Sequence, residues 1–315
     1  MKKYQHLIKY LYFGLGAASL GWIIVGSVDF FTQIYSSGKL WRFELYVCLF
    51  LMPLNWSLEA LKIQFLSKNK IGFGESITAV CKGMSFSFFI PFGLGTIVGR
   101  SVQQNRDKAL LMAQISLLSS FVQSVVSISF GLYFLQSLMM DIQDTRLQNV
   151  RIMAIVSLLV LLLLFGLMLK YFPKLSQWMK SKVETYWMKQ SLKFNEFSTV
   201  EILILFGISI IRYTVYVFQF VILLYLFEKL DISLMISVVC IIYLLQSILY
   251  LPSSINALAR GGILALILSY FSLPKDNAMG ISWTLFWINI AIPTIIGFYY
   301  LIRDSSYFLN LKIKT

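Results

Sequence analysis

The fold class this sequence predicts is an all-α polytopic membrane protein, and three observations predict it. The 315 residues are 58% hydrophobic and 13% charged, where a soluble domain carries roughly 25% charged residues, and the mean hydropathy is +0.76. Six apolar runs, 7–28, 45–66, 109–138, 150–171, 200–227 and 279–302, each reach the ~20 residues a spanning helix needs. Two further apolar regions, 76–105 and 233–271, are interrupted by Pro91 and Pro252. Proline removes a backbone donor and clashes with the preceding turn, so these regions predict helices that enter the bilayer and break.

Taken in order, the chain opens with Met1-Lys2-Lys3 and a long apolar run. That run is too long for the apolar core of a signal peptide and lacks a small-residue cleavage site, so an uncleaved first helix is expected. The first interrupted region reads Ser85-Phe-Ser-Phe-Phe-Ile-Pro91-Phe-Gly93-Leu-Gly95-Thr-Ile-Val-Gly99-Arg100. Its proline and the conformationally permissive Gly93, Gly95 and Gly99 predict a backbone break. The second reads Pro252-Ser-Ser-Ile-Asn-Ala-Leu-Ala-Arg260-Gly261-Gly262, with Gly261 assigned to the same role. In each copy an arginine follows the proline by eight or nine residues.

The distribution of basic residues decides how these regions lie. With the N-terminus inside and both regions treated as re-entrant hairpins, most of the 27 basic residues fall on the cytoplasmic side, including the run Lys170, Lys174, Lys180, Lys182, Lys189 and Lys193. Counting 76–105 as a full span would move that run outside, against the positive-inside bias. The expected architecture is about six transmembrane helices plus two re-entrant helical hairpins. Helix, hairpin, helix over 45–138 then recurs inverted over 200–302, a design found in transporters. Eight spans remain the alternative, since each long hairpin arm could nearly cross. The whole of 1–315 reads as one membrane unit in the plasma (inner) membrane, multi-pass, with both termini cytoplasmic. Between the halves, Leu175, Trp178, Met179, Val183, Tyr186 and Trp187 recur at helical spacing among lysines. Segment 173–197 therefore reads as an amphipathic helix on the inner leaflet, or as a basic linker.

A charge inside a spanning segment costs at least ~2.5–3.5 kcal/mol on insertion scales, so each needs an account. Arg212 lies mid-helix with Tyr213, Tyr216 and Gln219 as polar company. It either holds an anionic group in a cavity between the hairpins or neutralises the carbonyl end of a broken helix. Asn55, Glu59 and Lys62 share one helical face, as an internal ion pair near the inner interface or as a headgroup-binding or proton-coupling site. Arg100 and Arg260 are candidate anion clamps, with snorkelling to the inner surface the other reading of Arg100. Half-helix N-termini just past Pro91 and Pro252 would add partial positive charge at the midplane. Among Lys82, Gln114 and Gln123, Gln114 is the expected cavity liner.

Other chemistries are not expected. Cys48, Cys81 and Cys240 lie in apolar runs without CxxC spacing, and the one histidine, His6, sits in the polar N-terminus, so neither a disulfide framework nor a metal site is predicted. The net charge of +13 suits a cytoplasmic membrane face rather than nucleic acid. There is no phosphate-binding glycine loop, no HExxH and no Ser/His/Asp set. Neither catalysis nor a cofactor is expected.

The Ile90-Pro91-Phe-Gly-Leu-Gly95-Thr-Ile-Val-Gly99-Arg100 segment resembles the proline–glycine–arginine segment of the lysylphosphatidylglycerol synthase transmembrane-region family. The Asn55-Trp56…Glu59-Ala-Leu-Lys62 helix, the Arg212-Tyr213…Gln219 helix and the Pro252…Arg260-Gly261 segment resemble that family in the same order. The resemblance implies a flippase-like unit without the cytosolic aminoacyltransferase domain of the bifunctional members. The chain departs from the family at Ser253-Ser254-Ile255-Asn256, where a glycine and often an acid stand near the arginine. The function expected is translocation of an anionic or modified phospholipid headgroup, with membrane phospholipid as the partner. The alternatives are secondary transport of a small organic anion, or a non-transporting role in which 173–197 docks a lipid- or glycan-modifying enzyme.

Overall fold

The computed structural model describes residues 42–140, 152–161, 196–273, 275 and 277–311, with isolated positions between 10 and 28 and between 163 and 170. The expected first span and segment 173–195 lie outside the described residues. Nine helices organise the rest: α1 Phe43–Leu66, α2 Phe73–Ser87, α3 Leu94–Ser101, α4 Arg106–Met140, α5 Thr199–Phe227, α6 Ile232–Leu249, α7 Ser253–Tyr270, α8 Ala278–Phe286 and α9 Ile292–Leu311, the last two joined by the π turn Trp287–Ala291. A further helical stretch covers Ile152–Leu161. No strand occurs among the described residues. The chain is an all-α, multi-pass membrane protein. Five stretches, 107–138, 199–227, 232–249, 253–270 and 278–305, are long and apolar enough to cross a bilayer. Phe50, Leu203, Ile204, Ile211 and Phe218 stand exposed on outward faces, where lipid rather than water suits them.

Local chemistry marks the helix ends. Ser198 and Glu201 form a reciprocal capping box at the start of α5, and the Asp231 carboxylate accepts from the Ser233 and Leu234 N–H groups at the start of α6. These satisfy donors that a helix N-terminus otherwise leaves bare. The π turn has an equally local cause. Pro293 cannot donate and its ring crowds the carbonyl four residues back; the helix widens just before it, and the Ile292 N–H reaches the Trp287 carbonyl.

Both interrupted regions turn back on themselves. In the first, α3 returns antiparallel along α2, with Gly95 against Ser87 and Gly99 against Lys82 and Gly83. At 1.5 Å per residue α2 is about 22 Å long and α3 about 12 Å, and neither crosses a bilayer core of ~30 Å. In the second, α6 descends antiparallel to α4, with Leu244 packed on Gly131 and the Ser247 hydroxyl bonded to that of Ser127. Its end meets the middle of α4, where the Tyr250 and Ser124 hydroxyls pair. The two turns then bond to each other. The Phe92 N–H donates to the Tyr250 carbonyl at 3.2 Å, and the Ser254 N–H donates to the Phe88 carbonyl at 3.3 Å. Two hairpins from opposite ends of the bundle therefore meet tip to tip, each satisfying backbone groups the other exposes.

The packing repeats between halves. α1 packs on α2 as α5 packs on α6, α3 on α4 as α7 on α8, and α2 on α9 as α6 on α4. α1 and α5 lie against each other antiparallel, Cys48 by Gln219, Asn55 by Arg212 and Lys68 by Glu201. Exchanging these two helices inverts the direction of the chain, which is the inverted relation the sequence predicts for 45–138 and 200–302.

Gly95, Gly99 and Gly261 do not form the breaks that the sequence predicts. Only Gly93, at φ +71°, adopts the left-handed backbone of the break; it shares that region with its neighbour Phe92 and with Tyr250 in the second turn. Gly95 and Gly99 lie inside α3 and let it approach α2: a Cβ on Gly95 would sit 2.6 Å from the Ser87 Cα, and one on Gly99 would overlap the Lys82 carbonyl. Gly261 lies inside α7, where a side chain would overlap Met279 Sδ on α8. These three glycines pack helices rather than break them.

Candidate functional site

Beneath the joined tips lies a polar cavity in two adjoining lobes of about 290 and 260 Å³ that share Gln123, Ser124, Tyr243, Ser247 and Asn256. The first lobe is organised by α1. Asn55, Glu59 and Lys62, spaced four and three residues apart, turn inward together and are at most 4% exposed, while Leu54 and Leu61 face outward. The Glu59 carboxylate collects charge from three other positions. Arg100 Nη2 reaches Oε1 at 2.7 Å; Arg212 Nη1 and Lys62 Nζ reach Oε2 at 3.1 and 3.3 Å. The Ser119 hydroxyl donates to Oε1 at 3.2 Å. A buried carboxylate survives only when paired and hydrogen-bonded, and this one has a surplus of partners.

Arg212 is bound on every edge. Its Nε donates to Asn55 Oδ1 at 2.8 Å, its Nη2 to the Tyr216 hydroxyl at 3.1 Å, and its Nη1 to Gln123 Oε1 at 3.5 Å. The guanidinium also lies 5.1 Å from the centroid of the Tyr216 ring. Lys62 is held from its other side by Gln123 Oε1 at 3.0 Å. Arg212 lines the first lobe, and its partners are side chains rather than the carbonyl end of a broken helix. Arg100, 5% exposed, turns inward onto Glu59 and does not snorkel. The Glu59–Lys62 pair exists but forms one edge of a four-charge cluster.

The second lobe belongs to α7. Arg260 is 6% exposed, its Nε has no hydrogen-bond partner, and its guanidinium lies 6.0 Å from the Phe220 ring centroid. Tyr213, Tyr216 and Tyr243 line this lobe. Tyr243 packs on both of the others, at 5.9 and 6.2 Å between centroids. Asn289, in the π turn, adds a buried Oδ1 with no partner. No carboxylate lines this lobe. Arg100 and Arg212 line the first lobe beside Glu59 with Lys62 buried behind them, and Arg260 lines the second, so four cationic side chains and one carboxylate in or behind these walls leave a formal balance of +3. The N-termini of α3 and α7 begin at the adjacent tips and add to the positive potential.

Four expected site residues line neither lobe: Asn55 and Lys62 stand behind the first, bonded to Arg212, Gln123 and Glu59, and Gln219 and Gln114 lie elsewhere. Gln219 is fully buried between helices: its Nε2 donates to the Cys48 carbonyl at 2.8 Å and its Oε1 accepts from Asn289 Nδ2 at 3.1 Å. It cross-links α1, α5 and the π turn. Gln114 does not line either lobe; α4 lines them with a stripe of Ser119, Ser120, Gln123, Ser124 and Ser127. That stripe of polar residues at helical spacing in an apolar span was the available signal. Tyr243, Asn256 and Asn289 were also missed, and single polar residues in separate helices give no such pattern. Lys82 is held away from the cavity by Asp304 at 2.7 Å and Gln103 at 2.8 Å. Among the described residues no group of His, Cys, Asp or Glu is placed to hold a metal ion. Comparison with family models, curated proteins and solved structures gives no match to this chain.

Proposed function

We propose that this protein translocates an anionic or modified phospholipid headgroup across the plasma membrane through the cavity between its hairpins. The observation that carries the reading is the cavity's excess of buried cationic side chains at the level where two opposed hairpin tips meet. A site with four cationic side chains and one carboxylate in or behind its walls, set within an apolar helix bundle, is stabilised by an arriving anion, and phosphate suits the guanidinium fork. The surroundings favour an amphiphile over a free solute. Ile90, Gly93, Tyr250 and Leu251 line the cavity, and their neighbours Phe92, Leu94, Ile248 and Leu249 are apolar and exposed. A headgroup entering there keeps its acyl chains against apolar surface. Rocking one half against the other would part the tips alternately toward each side, as in other inverted-repeat transporters. The resemblance of the Pro91–Arg100, Arg212 and Pro252–Arg260 segments to the flippase-like family points the same way.

The test is leaflet exchange of labelled phospholipid in proteoliposomes, followed by quenching from outside. Wild type exchanges label faster than protein-free vesicles, and Arg212→Gln loses that excess while eluting as a folded protein. Exchange at the wild-type rate in folded Arg212→Gln would overturn the reading.

A further inference from the structure

The lining of the second lobe bears on the class of headgroup, on the basis of the translocation reading above. We infer that this lobe recognises a phosphodiester bearing a neutral polyhydroxyl substituent, as in glycerol- or inositol-type headgroups, and disfavours headgroups that end in an amine. Five observations carry it. Arg260 is buried without an acidic partner among the described residues, and its Nε is unsatisfied. A desolvated guanidinium in that state needs an anion with acceptor oxygens, which a phosphodiester supplies. No carboxylate lines the lobe, so a terminal ammonium would meet Arg260 with nothing to offset the repulsion. The remaining polar lining is neutral and mixed in character. The Tyr216, Ser247 and Asn256 side chains both donate and accept, and the buried Asn289 Oδ1 awaits a donor. Polyol hydroxyls, which donate and accept, complement that set. Tyr213 and Tyr243 add ring faces for the C–H side of a polyol. The lobe's 260 Å³ lies just under the ~300–1,000 Å³ of drug-sized sites, which suits one headgroup.

The other lobe does not supply the missing acid. Its only carboxylate, Glu59, is already engaged by Arg100, Arg212 and Lys62. An amine bound there would have to take Glu59 from three cations that remain.

The experiment is native mass spectrometry of the full chain from nanodiscs holding equal phosphatidylglycerol, phosphatidylinositol and phosphatidylethanolamine, with glycerol 1-phosphate added as a soluble competitor. The expected result is retention of the polyol lipids about tenfold or more over the ethanolamine lipid, matching one or two hydrogen bonds to the headgroup hydroxyls, and loss of that preference in Arg260→Gln. Asn256→Asp is the second variant. It sets an acid one turn before Arg260 on the same face and removes no buried cation, so it tests the reading even if Arg260→Gln fails to fold. The preference should fall in Asn256→Asp and ethanolamine lipid should gain. Equal or greater retention of the ethanolamine lipid by wild type would overturn the inference, as would an unchanged preference in either folded variant. The two proposals fail separately. Leaflet exchange that favours the ethanolamine lipid removes the polyol assignment and leaves translocation standing. Arg260-dependent binding of glycerol 1-phosphate with no lipid retained supports the polyol-phosphate chemistry as that of a free solute and removes translocation.

Discussion

Replacing Glu59 by Gln keeps the volume and one carbonyl acceptor but removes the only negative charge from a cluster of three cations. The carboxylate lies 2.7, 3.1 and 3.3 Å from Arg100, Arg212 and Lys62. At an effective dielectric of ~20 each contact is worth roughly 5–6 kcal/mol before desolvation. Desolvation and mutual repulsion of the cations offset most of that sum. What remains is the cost of stranding buried charge, about 3–5 kcal/mol when one partner of a buried pair is deleted. Arg212→Gln behaves differently, because Glu59 keeps Arg100 and Lys62 and one repulsive neighbour is gone. Its cost should stay below about 2 kcal/mol, near that of one or two hydrogen bonds to a charged group. The double variant should therefore be more stable than Glu59→Gln alone, with a coupling on the order of 1–3 kcal/mol. Equilibrium denaturation of the detergent-solubilised protein, wild type against the two single variants and the double, measures this cycle. A Glu59→Gln protein as stable as wild type, or strict additivity in the double variant, would refute the claim that Glu59 holds the cluster together.

Two further perturbations test the hairpins. Gly99→Ala forces a methyl into the Lys82 carbonyl and should cost about 1–3 kcal/mol through overpacking, read as a lowered denaturation midpoint; an unchanged midpoint would show that α3 does not press on α2 as described. Cysteines at Phe92 and Tyr250, whose backbones are bonded across the tips, should cross-link under mild oxidant, stop lipid exchange and restore it on reduction. The native cysteines Cys48, Cys81 and Cys240 are buried and should not interfere, and a cross-linked protein that still exchanges lipid would argue against parting of the tips.

Much of the fold was legible because burial in lipid leaves strong local marks. Runs of about twenty apolar residues, two prolines within apolar stretches and an asymmetric spread of lysine and arginine are linear properties of the chain. They suffice for the helices, the two breaks and their opposed directions. The charged members of the site were legible for the same reason, since an arginine or glutamate inside a span has no bland explanation.

What the sequence by itself determined, then, is where the helices run, where they break and which charges are forced inside. Only the tertiary structure decided the partners. Arg100, Arg212 and Lys62 converge on Glu59 from three helices, whereas Arg260 faces a lobe without an acid. The same packing turned Gly95, Gly99 and Gly261 into contact points, moved Gln219 from the cavity into a cross-link and put Gln123 where Gln114 was expected. Hydropathy and helix breaking depend on near neighbours in the chain and are readable there. Which buried charge meets which depends on the rotation and register of packed helices, set by side-chain contacts between residues as far apart as Asn55 and Arg212.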